Sequence, residues 1–208
     1  MLRLYHTAVS GANIISRGGG QESADESDYA GVSGEAVEKK LFVAPAQTNL
    51  AEAIDDSQTE IEVDEAVFDT SLFPVIVCES EKMLITSGFG TTTVTVTRGH
   101  NGTTAASHAD DTVIINGYEY QTVEIDSADL VSPDESGWVE YAPDSTGSPG
   151  SFAAGPITES EIAALASIDY NESVTFWRKI TVPASTAATR KTDVTHDIDA
   201  NAYETELL

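Results

Sequence analysis

Short runs that alternate apolar and polar residues recur along this chain, and a period of two is typical of β-strands with one buried face. In the central part of the chain, turn-forming residues separate the runs 41–43, 60–63, 75–78, 82–85, 93–97 and 112–115. Short strands at this spacing predict a small β-barrel or sandwich over residues 41–116.

A second set of runs follows residue 117, at 121–125, 138–141, 174–182 and 193–200. These runs predict an antiparallel β-sandwich, so the fold class that the whole pattern favours is all-β. The helix signal is Thr158-Glu159-Ser160-Glu161, a capping-box pattern that predicts a short helix through Leu165.

The amino-terminal segment has a different composition. After a short strand within residues 2–9, residues 10–38 are rich in Gly, Ser, Asp and Glu and include three consecutive glycines from Gly18 to Gly20. Such a segment has little apolar surface to bury by itself. We therefore predict an extended arm over residues 10–40 that becomes ordered against a neighbouring subunit.

A glycine-containing turn, T-R-G-H-N-G-T-T-A-A-S-H, occupies residues 97–108 between two of the central strands. Gly99 and Gly102 supply positions for positive φ, and the N-G dipeptide is a strong turn signal. Thr103 can bond to nearby backbone groups, while the planar fork of Arg98 can hold loop carbonyls or an acidic partner. We interpret the segment as a structural loop clamped by its own side chains.

This segment resembles a small β-module in structural proteins of tailed viruses. In that family an alternating apolar run leads into T-R-G-x-x-G-T-x-A-x-x-H, which here ends at His108, and a valine-rich strand closes the module. The similarity extends back to Leu50 and includes Glu79 and Glu81. It implies a virion component of the tail or tail tip, and it implies no chemistry.

The two ends of the chain are similar to a second family of virion proteins. The residues that carry this resemblance are the opening 4–11, the strand 176–179 and the stretches 182–184 and 191–193. In that family a short amino-terminal strand joins a sandwich that is interrupted by inserts. The resemblance implies one discontinuous sandwich domain, residues 1–40 and 117–208, with residues 41–116 inserted.

The charge balance indicates a saline environment. The chain has 35 acidic residues against 10 lysines and arginines, for a formal net charge of −25, although its hydrophobic content of 40% is that of a globular protein. Such self-repulsion opposes compaction at ordinary ionic strength, whereas at about 1 M salt the Debye length falls to about 3 Å. We therefore expect a halophilic, haloarchaeal setting. Nucleic acid is not an expected partner, because basic clusters are missing.

Neither a membrane segment nor a secretory signal is predicted. No apolar stretch approaches the roughly 20 residues that span a bilayer, and the first residues lack an apolar signal region. We expect a soluble protein that is made in the host cytoplasm and incorporated into the virion. The single cysteine, Cys78, lies in an apolar run and is interpreted as a small core residue.

Candidate catalytic and metal-binding residues are few. The sequence contains no H-E-x-x-H pattern, Walker loop or nucleophile elbow. Two histidines and two aspartates near the turn are candidate metal ligands on spacing alone: His100, His108, Asp110 and Asp111. We expect no metal, no cofactor and no enzymatic activity.

The sequence offers two further kinds of candidate site. Acidic clusters of the kind found in calcium loops do not follow the twelve-residue EF-hand pattern here and are interpreted as surface acids: Asp126, Asp129, Asp134, Glu135, Asp197 and Asp199. Two N-x-S/T sequons offer glycan acceptors at Asn101 and Asn171.

The expected function is a non-enzymatic virion protein at the tail tip or baseplate, acting through symmetric self-association and contacts with other virion proteins. The alternative within the structural class is a capsid decoration or turret protein. The alternative from another class is an adhesin that binds glycans on the host surface, for which the aromatic stacking candidates are Trp138, Tyr141, Phe152 and Trp177. Strand alternation favours burial of the two tryptophans instead.

Overall fold

The computed structural model describes residues 1–6, 8–9, 14–16, 35–129, 136–185 and 194–207. Every strand pair within these ranges is antiparallel. The strands are β1 (Leu2–His6), β2 (Ile14–Ser16), β3 (Glu35–Pro45), β4 (Gln47–Asn49), β5 (Glu60–Glu62), β6 (Val75–Cys78), β7 (Glu81–Ser87), β8 (Thr93–Thr97), β9 (Val113–Asn116), β10 (Tyr118–Asp129), β11 (Val139–Ser145), β12 (Ser148–Pro149), β13 (Ala153–Ala154), β14 (Ser167–Ile168), β15 (Val174–Val182) and β16 (Val194–Glu204).

The strands form three sheets, and the predicted all-β, sandwich-like antiparallel fold is confirmed. A seven-stranded sheet has the order β12-β11-β15-β3-β1-β2, with β13 also paired to β11. A three-stranded sheet has the order β14-β10-β16, and a six-stranded sheet the order β4-β9-β6-β7-β8-β5.

The seven-stranded and three-stranded sheets share one apolar core, and together they are called the sandwich below. Alternation along β15 places Val174, Phe176 and Arg178 inside, whereas Trp177 and Lys179 are half-buried on the other face. The core residues come from both sheets: Leu2, Leu4, Leu41, Val43, Tyr120, Val123, Ile125, Val139, Tyr141, Ile168 and Phe176.

The six-stranded sheet closes on itself, and it is called the barrel below. Its two edge strands meet at the Leu50–Val63 bridge, where the Ala51 N–H donates to the Glu62 carbonyl oxygen at 3.0 Å. Cys78 is buried in the barrel core, as predicted, and burial raises the pKa of its thiol to about 12. The core includes Leu50, Ile61, Ile76, Cys78, Met83, Ile85, Val94, Val96 and Ile114, and it continues to Tyr5 and Ala44 of the seven-stranded sheet.

Strand β3 changes the predicted boundary of the arm. It begins at Glu35 and runs continuously to Pro45, paired with β15 along one side and with β1 along the other. The interpretation of residues 35–40 as arm is therefore wrong, and residues 41–43 belong to the seven-stranded sheet. The consecutive charges Glu38, Lys39 and Lys40 interrupt the apolar pattern and concealed the strand. Residues 14–16 of the predicted arm form β2, which pairs with β1 of the same chain, and residues 10–13 and 17–34 lie outside the described residues.

The predicted short helix is only partly formed. The backbone N–H of Thr158 donates to Glu161 Oε2 at 2.9 Å, as in a capping box, but the segment that follows is a 3-10 helix at Ala163–Ala166. Ile162 is extended, and its side chain and that of Leu165 both lie in the sandwich core. No helix in the described ranges is long and apolar enough to cross a membrane.

Candidate functional site

The turn 97–108 folds around the carboxylate of Glu81, the first residue of β7, which is completely buried. Arg98 donates to it through Nε and Nη2, each at 2.8 Å. The backbone N–H groups of Gly99 and Ala106 donate at 3.0 and 3.1 Å, and His108 Nε2 lies 2.9 Å from Oε2. Five hydrogen bonds thus converge on one carboxylate.

Arg98 uses all five of its N–H donors in this arrangement. Besides the two bonds to Glu81, Nη1 donates to the carbonyl oxygens of Asp55 at 2.7 Å and Gln58 at 2.9 Å, and Nη2 donates to that of Ala106. The sequence left open whether Arg98 holds loop carbonyls or an acidic partner, and it holds both. The guanidinium thereby joins segment 55–58, strand β7 and the turn.

His108 connects the same carboxylate to a second one. Its Nδ1 lies 2.7 Å from Glu79 Oε2, while its backbone N–H and carbonyl both pair with Ile54. The two ring nitrogens of His108 therefore contact two different carboxylates, those of Glu79 and Glu81. His108 acts as a bridge between the β6–β7 hairpin and the segment that follows the turn.

The electrostatics of Glu81 result from two opposing effects. Burial by itself would raise the pKa of the carboxyl group, because desolvation disfavours the charged form. The hydrogen bonds from Arg98, His108 and the backbone of Ala106 and Gly99 outweigh burial and lower the pKa to about 2. The carboxylate therefore stays ionised at neutral and mildly acidic pH.

The sequence identified the surroundings of this cluster but not its centre. Glu81 lies within the stretch similar to tailed-virus proteins, yet nothing local gives it a role. The usable signal is the scarcity of basic residues. The chain has 10 lysines and arginines among 208 residues, so Arg98, next to a predicted turn, is expected to form an ion pair with an acidic side chain. Which of the 35 acids it meets depends on strand pairing far along the chain.

The turn geometry is as predicted at both glycines. Gly99 has φ 63° and precedes a 3-10 turn at His100–Gly102, and Gly102, the last residue of that turn, has φ 83°. A Cβ on Gly99 would lie 2.9 Å from the Thr103 carbonyl oxygen, whereas a Cβ on Gly102 would meet nothing within 4 Å. The Thr103 hydroxyl donates to the His100 carbonyl at 2.9 Å and accepts from the Lys82 N–H at 3.0 Å.

The outer side of the turn contacts the end of β16. Lys82 Nζ lies 3.1 Å from Glu204 Oε1, and Asn101 Nδ2 donates to the same oxygen. A cavity of about 590 Å³ lies here, lined by Lys82, Asn101, Thr103, Glu204, Thr205, Glu206 and Leu207. The turn therefore also joins the barrel to the sandwich.

The metal-site pattern is not assembled. His108 faces Glu79 and Glu81, whereas His100 Nε2 lies 3.7 Å from Glu204. Asp110 and Asp111 are exposed in the turn that follows. Within the described ranges, no group of three His, Cys, Asp or Glu side chains is placed to hold a metal ion.

The acids compared with calcium loops separate into two sets. Asp197 and Asp199 of β16 lie directly opposite Asp126 and Glu124 of β10, so carboxylates face each other across the ladder. Asp134 and Glu135 lie outside the described residues, as does the side chain of Asp129.

The four aromatic candidates have different environments. Tyr141 is buried, and its hydroxyl oxygen lies 2.8 Å from His196 Nδ1. Trp177 is half-buried and donates through Nε1 to Asp144 at 2.7 Å, so the prediction that it is buried is wrong. Alternation showed that one face of β15 is buried, and Phe176 and Arg178 occupy that face. The centroid of the half-buried Phe152 ring lies 4.4 Å from Lys179 Nζ. Trp138 is half-buried in the 3-10 turn before β11, so its predicted burial is wrong as well.

The two sequons differ in accessibility. Asn101 is exposed, but its amide nitrogen is bonded to Glu204. Asn171 is exposed in a turn between β14 and β15. Of the two predicted acceptors, only Asn171 would accept a glycan without losing a described side-chain contact.

The chemistry of the turn follows from these contacts. Arg98 and Glu81 are both engaged inside the chain, with no N–H donor of Arg98 left over. No family model, curated protein or solved structure matches this chain. The geometry supports a structural role. Glu81 and its partners Arg98, Gly99, Ala106 and His108, called the clamp below, hold the β6–β7 hairpin, segment 55–58 and the turn together.

Proposed function

We propose that this protein is a non-enzymatic structural component of the virion of a tailed virus that infects halophilic archaea. It is placed at the tail tip or baseplate and acts through self-association and contacts with other virion proteins. The observation that carries the proposal is the clamp. Arg98, Gly99 and His108 of a motif similar to that of tailed-virus structural proteins all bind Glu81, which is a structural use of these residues.

The distribution of charge supports the halophilic part of the proposal. Opposed acids in the β10–β16 ladder repel each other unless salt screens them, and the formal net charge is −25. A particle component exposed to molar salt tolerates such pairs. At low ionic strength the same pairs would weaken the sheet.

Immunogold labelling of virus particles tests the location. Antibodies against the purified chain are applied to particles released from a lysed haloarchaeal host, with particles of an unrelated tailed virus as the control. We expect gold at the distal end of the tail. Gold over the capsid would replace the tail assignment with a capsid decoration or turret protein. Particles without gold, together with the chain remaining in the host lysate, would overturn the virion proposal.

A second candidate function is glycan binding at the host surface. The observation that favours it is a half-exposed patch on one face of the seven-stranded sheet, where Trp177 and Phe152 lie beside Lys179, Asp144 and Glu140. Rings flanked by hydrogen-bonding groups are typical of sugar stacking sites.

Glycan binding is tested with isolated host surface glycans and intrinsic tryptophan fluorescence. Trp177→Phe should abolish a glycan-dependent signal, whereas Trp138→Phe, a matched change in the turn before β11, should keep it. Loss of the signal in both variants, or no signal in the unaltered protein, would remove this candidate.

A further inference from the structure

Strand β16 forms an open edge of the sandwich. It spans Val194–Glu204 and pairs along one side with β10 over almost its whole length. Within the described ranges no strand pairs with its other side, and it stands last in the order β14-β10-β16. The part of this edge that follows His196 presents a row of backbone donors and acceptors that can template another strand.

The inward face of this strand is also incompletely covered. His196 is buried, but Ile198 and Ala202 on the same face are only half-buried and Ala200 is exposed. A cleft of about 180 Å³ lies beside them, lined mostly by apolar side chains: Met1, Leu2, Phe73, Tyr120, Ile198 and Ala200. The three-stranded sheet thus leaves part of the apolar core beside β16 uncovered. One more strand beside β16 would cover the cleft with its inward side chains.

The outward face of β16 determines which charge an added strand should carry. Asp197 and Asp199 are exposed there and already lie opposite Asp126 and Glu124. A β16 strand from a second copy of this chain would add two more acids to the same row, which like-charge repulsion disfavours. Lysine or arginine at the outward positions would instead pair with Asp197 and Asp199.

We propose that the free edge of β16 accepts an extended strand from a different protein chain. Backbone hydrogen bonds along the edge supply the binding, as in other cases of β-strand addition. The added strand has apolar side chains on alternate positions facing the cleft and basic or hydroxyl side chains facing outward. The site depends only on the described contacts of the sandwich and holds whether or not the chain is a virion protein.

The test uses the full chain and a synthetic peptide in which valine alternates with lysine and threonine. Amide hydrogen exchange is measured by mass spectrometry at about 2 M NaCl, where charge repulsion is screened. In the chain alone, we expect alternate amides of residues 198–203 to exchange faster than those of β10, and we expect the peptide to protect them. The same peptide N-methylated along one edge should give no protection.

Two variants that add the same charge to opposite faces of β16 separate strand addition from simple attraction to a basic peptide. Ala200→Glu puts a carboxylate into the cleft and should weaken peptide binding by about tenfold or more, since burying a charge is costly. Asn201→Glu puts it on the outer face and should leave binding equal or stronger.

Three results would overturn the proposal. One is protection of the β16 amides in the chain alone equal to that of β10, which would mean that the chain covers its own edge. The others are equal binding of the N-methylated peptide and equal effects of the two glutamate variants.

Discussion

The barrel and the sandwich use acidic residues in opposite ways. In the barrel, Glu81 is buried and surrounded by donors from Arg98, His108 and the backbone. In the sandwich, Asp197 and Asp199 are exposed and lie opposite two acids of β10. Charge-assisted hydrogen bonds stabilise a fold, whereas like charges directly opposite in a ladder weaken it.

This difference shows that one residue type can make two parts of a molecule sensitive to different conditions. A buried ion pair is screened little by salt but is lost when its carboxylate is protonated. An exposed row of acids is screened by salt and loses its repulsion on protonation. We therefore expect the barrel to be sensitive to acid and the sandwich to be sensitive to dilution of salt.

The largest expected effect comes from replacing Arg98, the basic residue of the clamp. Arg98→Met keeps the apolar stem but leaves the Glu81 carboxylate buried without its main partner, and it frees the carbonyls of Asp55 and Gln58. Breaking a buried pair in this way costs about 3–5 kcal/mol. Urea unfolding in high salt, followed by amide exchange in β7 and β8, measures the loss.

Lys40→Met is the matched control for this variant. Lys40 Nζ lies 3.6 Å from Asp144 Oδ1, and both side chains are partly exposed. Exposed pairs contribute little, so the midpoint of urea unfolding should stay unchanged. Similar losses in the two variants would contradict the clamp as the centre of barrel stability.

The second prediction uses acid to separate the two regions. The pKa of Glu81 is lowered from 4.5 to about 2, so the folded state binds its proton less readily than the unfolded state. The resulting stability is present above about pH 5 and is lost as the pH falls toward 2, and it amounts to about 3 kcal/mol. Amide exchange of β7 between pH 5 and pH 2, with calibrated intrinsic rates, follows it.

Glu81→Gln supplies the control for the acid experiment. Without an ionisable group at this position, the barrel should be less stable at neutral pH and should lose less stability on acidification. An unchanged slope with pH in the Glu81→Gln variant would show that other carboxyl groups govern the acid sensitivity.

Much of the fold could be predicted because alternation reports on local geometry. The runs 75–78, 93–97 and 174–182 correspond to β6, β8 and β15. Strand β3 was missed in its first half because three consecutive charged residues interrupt the alternation. The Trp177 error has a similar origin: a period of two identifies two faces, but the packing of a distant sheet decides which one is buried.

The candidate site could be predicted only where it depends on the backbone. The positive φ at Gly99 and Gly102 follows from turn chemistry within a few residues. The convergence on Glu81 requires β6, β7 and β8 to be adjacent, because Arg98 and His108 lie 17 and 27 positions further along the chain. No local pattern encodes that register.

The third prediction compares the two glycines of the turn. Both have positive φ, which costs an alanine about 1 kcal/mol. Gly99→Ala also brings its Cβ to 2.9 Å from the Thr103 carbonyl oxygen, whereas Gly102→Ala meets nothing within 4 Å. Gly99→Ala should therefore be the more destabilising of the two, at about 2 kcal/mol against about 1 kcal/mol. Thermal unfolding in high salt measures both, and the reverse order would contradict the geometry of the turn.

The smallest expected effect tests the acids of the sandwich. Opposed like charges in a ladder cost roughly 0.2–1 kcal/mol per pair, and salt screens them. We expect the unaltered chain to unfold as NaCl falls from molar to tens of millimolar, as judged by circular dichroism. The double variant Asp197→Asn, Asp199→Asn removes two opposed pairs. It should therefore unfold at a lower NaCl concentration than the unaltered chain.

The matched control makes the same change of net charge in the barrel. Asp56 and Asp64 are exposed there, and the ladders of the barrel place neither of them opposite another acid. Asp56→Asn with Asp64→Asn lowers the net negative charge equally, so it should shift the NaCl midpoint less than the β16 variant does. Equal shifts would mean that salt acts on the total charge of the chain. The contrast between acids held in the clamp and acids opposed in the β10–β16 ladder would then not explain the salt requirement.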